Sequence, residues 1–369
     1  MADASFSVEM LAARHGDALM VEYAPGGGRT RRMLIDGGPL TAYAALDARI
    51  ARLPEGDQRL ELLVVTHVDT DHIESMVRLL AIPRERWPIA PRDIWFNGYR
   101  HMRPQIDLGG KQGEFLSALI QRRAQAQWNQ AFGGRAIVIP AQGELPRIDL
   151  ADGMSLTLLS PDAGKLECMA RAWEKDVDGW IVRPGDLDAA WGALVKARRF
   201  HPGEDLTLGP GDLTDKLRAQ LRGHDPSAAN GSSIAFLACF EGKSCLFLAD
   251  AHMDIVCASL RRLTSRPGER LRVDAVKMAH HGSRNNFTPE FLELVDAEHF
   301  LFSSNGDQFH HPDAETVEAV IAGASRRPTL WFNYRSPYTE RWEQGASARD
   351  APYRVRYPAP GTDGLVVPL

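Results

Sequence analysis

Cysteine is scarce in this chain: four residues in 369, at Cys168, Cys239, Cys245 and Cys257, with no CxxC spacing among them. That argues against a disulfide framework and leaves reduced, buried thiols as the reading. Cys239 and Cys245 flank Glu241-Gly242, where a two-residue hairpin turn would set them on opposite faces. No run of about 18 apolar residues occurs, so no membrane-spanning helix is expected. The opening "MADASFSVEM" has neither a basic stretch nor an apolar core. No signal peptide is expected there, and a cytoplasmic setting follows. Basic excess is missing too. A net charge of −5 argues against broad nonspecific duplex binding, which runs on clustered Lys and Arg. The basic residues over 84–103 and the pair Arg122-Arg123 read as solvated surface.

What is present is an ordinary globular composition, 44% hydrophobic and 25% charged, in a chain long enough to bury a large core. The first third alternates strand-like runs with turns: "FSVEML", "ALMVEY", "RMLID" and "LELLVV". The intervening "APGGGRTR" reads as a flexible hairpin loop, since no helix follows to cradle a phosphate. "LLVV" is continuous rather than alternating, which suits a strand covered on both faces. Directly after it, Ile73, Met76, Val77 and Leu80 recur at helical spacing. Residues 113–132 are predicted helical, and "AIVIP" and "MSLTLLSP" as strands. Residues 165–229, with Trp173, Trp180 and Trp191 and helical pieces at 187–198 and 213–222, read as an insertion. Alternation then resumes: "SIAFLACF", "SCLFLAD", helix 252–263, "VDAVKMA", helix 288–296, "HFLFSS", helix 313–322, "TLWFN". This pattern predicts one layered α/β domain over 1–369, sheets inside and helices outside.

Residues able to bind metal cluster after the predicted strands. "THVDTDH" packs His67, Asp69, Asp71 and His72 behind "LLVV"; Asp250 ends "SCLFLAD"; His280 and His281 follow "VDAVKMA". "FHHPD", containing His311, follows "HFLFSS". Ends of neighbouring strands converge in space while staying far apart in sequence. Imidazole with carboxylate suits zinc, manganese or iron. A tight turn can aim His67 and Asp69 at one ion and Asp71 and His72 at another, with Asp250 placed to bridge. His101, His201, His224 and His299 stand alone and read as satisfied surface or core residues.

"HVDTDH" resembles the HxHxDH signature of the metallo-β-lactamase fold, with Asp69 where the second histidine is usual. "MLIDGG", "LFLAD" and "AHHGS" resemble that family's early Asp-Gly element, bridging-aspartate strand and last histidine motif. More narrowly, "RHGDALMVEY", "DGMSLTLLSP", "NGSSIAFLACFEGKSCLFLADA", "VKMAHHGS" and "HHPDAETVEAV" resemble the hydrolase domain of ComEC-type DNA-uptake proteins. The resemblance implies an αββα four-layer sandwich with a helical insertion and two divalent ions, Zn or Mn. His67 and Asp69 would serve the first ion, and Asp71, His72 and His281 the second, with Asp250 bridging. Asp36, Asn230 and His280 would support them. The family's middle histidine has no equivalent. Asp69 makes the first site harder and more negative, tilting it towards manganese. Asp71 and His311 would carry catalysis, His311 by contacting a phosphoryl oxygen or protonating a leaving group. The implied function is hydrolysis by metal-bound hydroxide of a phosphodiester in a nucleic acid or nucleotide, without a membrane partner. Two other readings fit the same residues. One is hydrolysis of an ester, lactone, thioester or β-lactam. The other is a binding or regulatory module with a partly degraded metal site.

Overall fold

The strand Leu19–Ala24 shows how the chain divides its apolar residues. Leu19, Val21 and Tyr23 enter one core, while Met20 enters another. Met33 and Ile35 against Leu34, and Leu62 and Val64 against Leu63, repeat the split. A sheet apolar on both faces has to be covered on both.

The computed structural model describes residues 3–102, 111–177, 184–201, 226–264, 266, 268–348 and 350–369. Among these, the first sheet has six strands, in the order Gly364–Pro368, Ser5–Leu11, Leu19–Ala24, Arg31–Ile35, Leu62–Val64 and Ile94–Trp95. The second has eight: Arg354–Arg356, Thr329–Phe332, Val295–Phe302, Leu271–Lys277, Lys243–Phe247, Ala235–Phe240, Ser155–Ser160 and Arg147–Asp149. The sheets face each other through Phe240, whose ring meets Phe6 at 6.3 Å and Tyr23 at 5.1 Å, and through Trp95 against Phe236 at 6.0 Å. Helices Tyr43–Ala51, Thr70–Ala81 and Lys111–Arg123 cover the outer face of the first sheet. Helices Met253–Leu263, Pro289–Leu294 and Ala314–Gly323 cover the second. The result is an αββα four-layer sandwich. No helix among the described residues is long and apolar enough to cross a membrane.

Several expectations shift. "AIVIP" forms no strand, only an isolated bridge at Ile139. The reason is local: the side chain of Asn97 accepts from the Ile137 N–H at 2.9 Å and donates to its carbonyl at 2.8 Å. Those backbone groups need no neighbouring strand. The predicted helix 288–296 stops at Leu294, because Val295 already pairs with Leu271 in the second sheet. The helix expected over 113–132 ends at Arg123 and continues as two short 3-10 turns. Cys168 is exposed and Cys239 half-buried, so the thiols are not uniformly interior. Cys168 lies on the side of helix Ala163–Val177 away from its buried Leu166, Met169, Ala170 and Trp173. Cys239 and Cys245 do lie on opposite faces, as Cys239 is opposite Ser244 and Cys245 opposite Ala238. Arg122 and Arg123 are more than solvated surface: both guanidinium groups lie over Trp191, at 4.8 and 5.3 Å from its ring centroid.

Of 165–229, the described helices Ala163–Val177 and Leu187–Lys196 bury Trp173 and Leu194 in the same core as helix Thr70–Ala81. The piece expected at 213–222, Trp180 and His224 lie outside the described residues.

The register sets up the site. Lys243–Phe247, Leu271–Lys277 and Val295–Phe302 run parallel, with Phe247 beside Lys277 and Lys277 beside Leu301. Their carboxyl ends therefore finish level, where α/β proteins gather ligands.

Candidate metal centre

Leu62–Val64 hands directly to helix Thr70–Ala81, and the turn between them carries His67 and Asp69. Asp69 holds the N-cap position with extended backbone, and its carbonyl accepts from the His72 and Ile73 N–H groups. Asp71 and His72 thus ride on the first helical turn, facing the ends of the second sheet.

Three imidazoles converge with one orientation. His72 Nδ1 lies 2.8 Å from Asp36 Oδ2, so it carries the proton and donates. His281 Nδ1 donates to the Ser303 carbonyl at 2.8 Å. His67 is held through Thr66. Thr66 Oγ1 donates to Asp36 Oδ2 at 2.6 Å, so at 3.0 Å from His67 Nδ1 it must accept. All three rings are therefore held as the Nδ1–H tautomer, with the Nε2 lone pair turned inward. Asp36 anchors two of the three, directly and through Thr66, and also accepts from the Thr66 N–H at 2.8 Å.

The inward atoms surround Asp250. Its Oδ2 lies 3.4 Å from His72 Nε2, 3.9 Å from His67 Nε2 and 3.9 Å from His281 Nε2. His280, whose Nδ1 is 2.8 Å from Asn286 Oδ1, brings its Nε2 to 3.8 Å from the same oxygen. Asn286 in turn donates to the Asp250 carbonyl at 2.9 Å, and Asn230 Nδ2 lies 3.2 Å from His280 Nδ1. Asp71 Oδ2 lies 3.5 Å from His281 Nε2 and 3.8 Å from His72 Nε2. Two groups are compact enough to hold an ion: His67, His72 and Asp250, and Asp71, His72 and His281. Donors about 2.1 Å from a tetrahedral ion stand roughly 3.4 Å apart, and the spacings of 3.4 to 3.9 Å here come near that. His67 Nε2, His72 Nε2, His281 Nε2 and Asp250 Oδ1 are buried without a hydrogen-bond partner among the described residues. Each such atom would cost about 1–3 kcal/mol if nothing answered it. The donor set fits a divalent metal.

The electrostatics agree. Burial opposes charge on Asp250, yet His280, His72 and His281 hold its carboxyl well below the usual range. Burial likewise opposes charge on His72, but Asp250 and Asp71 push it well above an ordinary histidine. For His281, Asp17 and Asp250 outweigh burial and push it up to about 9. Without a metal, protons fill the role of the cations.

Other expected residues sit differently. Among the described residues, Asp69 pairs with His67, at 3.5 Å from its Nε2, keeps 30% of its side chain exposed and joins neither compact group. His311 is at the rim, its ring 5.3 Å from His280 and its Nδ1 3.7 Å from Asp313. Burial and the neighbouring His281 and His280 lower it to about 4, which leaves it neutral near pH 7. His101 is buried and pushed down to about 3, chiefly by burial, and takes no part. A groove of about 530 Å³ lined by Glu9, Arg32, Arg49 and Asp363 includes none of the cluster. Its Arg32 and Arg49 are already paired with acids.

Five contributing residues go unmarked in the sequence: Asp17, Thr66, Lys277, Asn286 and Ser303. Lys277 Nζ, fully buried, donates to Asp17 Oδ2 at 2.7 Å, and Asp17 Oδ1 stands 3.4 Å from His281 Nδ1. A lysine at the inner end of the apolar strand "VDAVKMA" was the available signal.

No family model matches the sequence, and no curated protein matches it. Solved structures similar in shape include a mutant of the CmlA β-hydroxylase, 11% identical with a TM-score of 0.39, where all of this chain covers 54% of that one. The MIM-2 metallo-β-lactamase is 11% identical with a TM-score of 0.31, over 75% of this chain and 73% of that one. A diphosphatase from the PhnP family is 13% identical with a TM-score of 0.35, over 95% and 83%. This chain spans about half the length of the CmlA protein. At such identities and scores the chemistry has to be argued from the site itself.

Proposed function

We propose that the chain is a metal-dependent hydrolase with two divalent ions and that it cleaves phosphodiesters in a nucleotide or nucleic acid. The observation that carries the reading is the set of inward, tautomer-fixed and unpartnered Nε2 atoms of His67, His72 and His281 around Asp250. A neutral imidazole nitrogen has one lone pair, so His72 would serve one ion, with Asp71 and His281. His67, Asp69 and Asp250 would hold the other. Bound divalent ions, zinc or manganese, supply Lewis acidity and bring the pKa of water towards neutrality.

The chain's own residues do the rest. Asp36, Thr66 and the Ser303 carbonyl fix the imidazoles, so the centre does not reorganise when charge builds on a substrate oxygen. Asp71, paired with His281 at 3.5 Å, would take a proton from the attacking water. His311, neutral near pH 7, would contact a substrate oxygen. The likeness of "VKMAHHGS" and "HHPDAETVEAV" to the ComEC-type branch favours phosphodiesters over esters, lactones and thioesters. A purely regulatory role would not require all three imidazoles to stay aimed inward.

Metal content by mass spectrometry on untreated protein is expected at one to two zinc or manganese ions per chain. Bis(p-nitrophenyl) phosphate should be cleaved. His72→Ala and His281→Ala should each reduce turnover by at least the ~100-fold that even a supporting residue can cost. Cleavage of esters or lactones but no phosphodiester would transfer the assignment to the other substrate class. Absence of bound metal and of metal uptake would defeat the hydrolase reading.

A further inference from the structure

Among the described residues three large apolar side chains are exposed, Val195, Phe309 and Val366, and of these Phe309 alone is aromatic. Its neighbours are unusual. The Phe309 ring meets His15 edge-on at 6.3 Å and lies nearly parallel to His311 at 6.0 Å. His311 meets His280 at 5.3 Å, and His280 Nε2 is 3.8 Å from Asp250. A row of rings thus runs from the candidate metal centre to the solvent and ends on Phe309, half exposed.

The loop that carries it is held in place. Asn305 N–H donates to the Arg14 carbonyl at 2.8 Å, Ser304 N–H to Asn333 Oδ1 at 3.0 Å, and Asp313 N–H to the Gly282 carbonyl at 3.1 Å. Gly306 turns with φ +77°, and a Cβ there would lie 2.3 Å from the Tyr338 ring. His310 turns with φ 64° and stacks on Tyr338 at 4.9 Å. A pinned loop that keeps a phenyl ring half in water forgoes roughly half of the ~1.5–3 kcal/mol that complete burial gives. Single exposed apolar residues are common and need no account. An exposed ring on a braced loop, joined by ring contacts to a metal-binding cluster, does.

We infer that Phe309, flanked by His15, is a stacking platform for a flat aromatic ring of the substrate, a nucleobase or aryl group attached to the phosphate that the centre receives. The inference rests on the hydrolase reading for the identity of the phosphate site, and it goes beyond that reading in naming the second half of the substrate. Aromatic faces attract other aromatic faces in offset or edge-on arrangements, without selecting one base over another. The expected preference is therefore for purine and pyrimidine nucleotides alike over the same phosphate lacking a base.

Equilibrium binding separates the two claims, because it needs no turnover. Full-length protein supplied with Zn²⁺ or Mn²⁺ is titrated with adenosine 5′-monophosphate, ribose 5-phosphate and cyclohexyl phosphate. Adenosine monophosphate is expected to bind about 5- to 150-fold more tightly than ribose 5-phosphate, the range that base–aromatic stacking gives. Phe309→Ala should erase that ratio, Phe309→Trp should keep it, and metal content should be the same in all three proteins. A ratio near one in the wild type, a ratio that survives Phe309→Ala, or equal gains for cyclohexyl phosphate overturns the platform. A preserved ratio in a protein that hydrolyses no phosphate ester keeps the platform and removes the hydrolase.

Discussion

Asp36 sets the tautomer of two imidazoles at once, taking the His72 Nδ1 proton directly and the His67 proton through Thr66. Asp36→Asn keeps the shape and loses this logic, since one side-chain atom facing those donors becomes an N–H₂. Metal affinity should fall by about 10- to 100-fold, the usual cost of losing such a support. Competition with a chromophoric chelator measures it, and an unchanged affinity would remove Asp36 from this role. Protonation follows the same residues. His281 is raised from 6.5 to about 9, so its ion pairing stabilises metal-free protein fully below pH 6.5 and is lost as pH rises through 9. A metal has to displace that proton, so apparent metal affinity should climb between pH 6.5 and 9. Melting temperature of stripped protein should drop over the same interval, and a loaded sample should not follow it. Parallel curves for the two forms would contradict this.

Short strand-to-helix and strand-to-loop junctions carry the site, and they explain what could be read in advance. His67 to His72 were legible because six neighbouring positions repeat one chemistry behind an apolar strand, and His280-His281 and Asp250 because each follows such a strand. Asp17 and Lys277 were not, since they lie 260 positions apart and meet only when the two sheets close. Asp69 was legible as a metal-type residue, yet its distance from Asp71 and His281 depends on the exact turn into the helix. The layered fold followed from strand and helix alternation, while "AIVIP" misled because a single side chain, Asn97, satisfies its backbone. At this scale Gly16 is decisive. A Cβ there would sit 1.8 Å from the Asp71 carbonyl oxygen, so the 12–18 loop can approach the metal-loop helix only with glycine. Gly16→Ala should cost about 1–3 kcal/mol in urea unfolding and displace Asp71. Metal content should drop with it. Wild-type stability and metal content in this variant would show that the two segments need not touch.

Across the whole molecule, the Lys277–Asp17 pair joins the sheets, since Lys277 ends a strand of the second sheet and Asp17 precedes Leu19–Ala24 in the first. Both side chains are almost fully buried, at 1% and 3% exposure. Burial opposes ionisation of Asp17, but Lys277 and His281 hold its carboxyl below the ordinary range. Its contribution is therefore present above the unfolded carboxylate pKa and is lost only as pH falls below it. Taking two charges out of water offsets much of their attraction, so the pair need not stabilise the fold relative to an apolar substitute. Removing one partner is different. Lys277→Met leaves the buried Asp17 carboxylate with His281 alone as its near cation and should destabilise by about 3–5 kcal/mol. Asp17→Asn combined with Lys277→Met removes both charges, and its loss should be clearly smaller than the sum of the singles. Urea unfolding of all four proteins, stripped of metal, measures this coupling. Additive losses would mean that the two residues act separately.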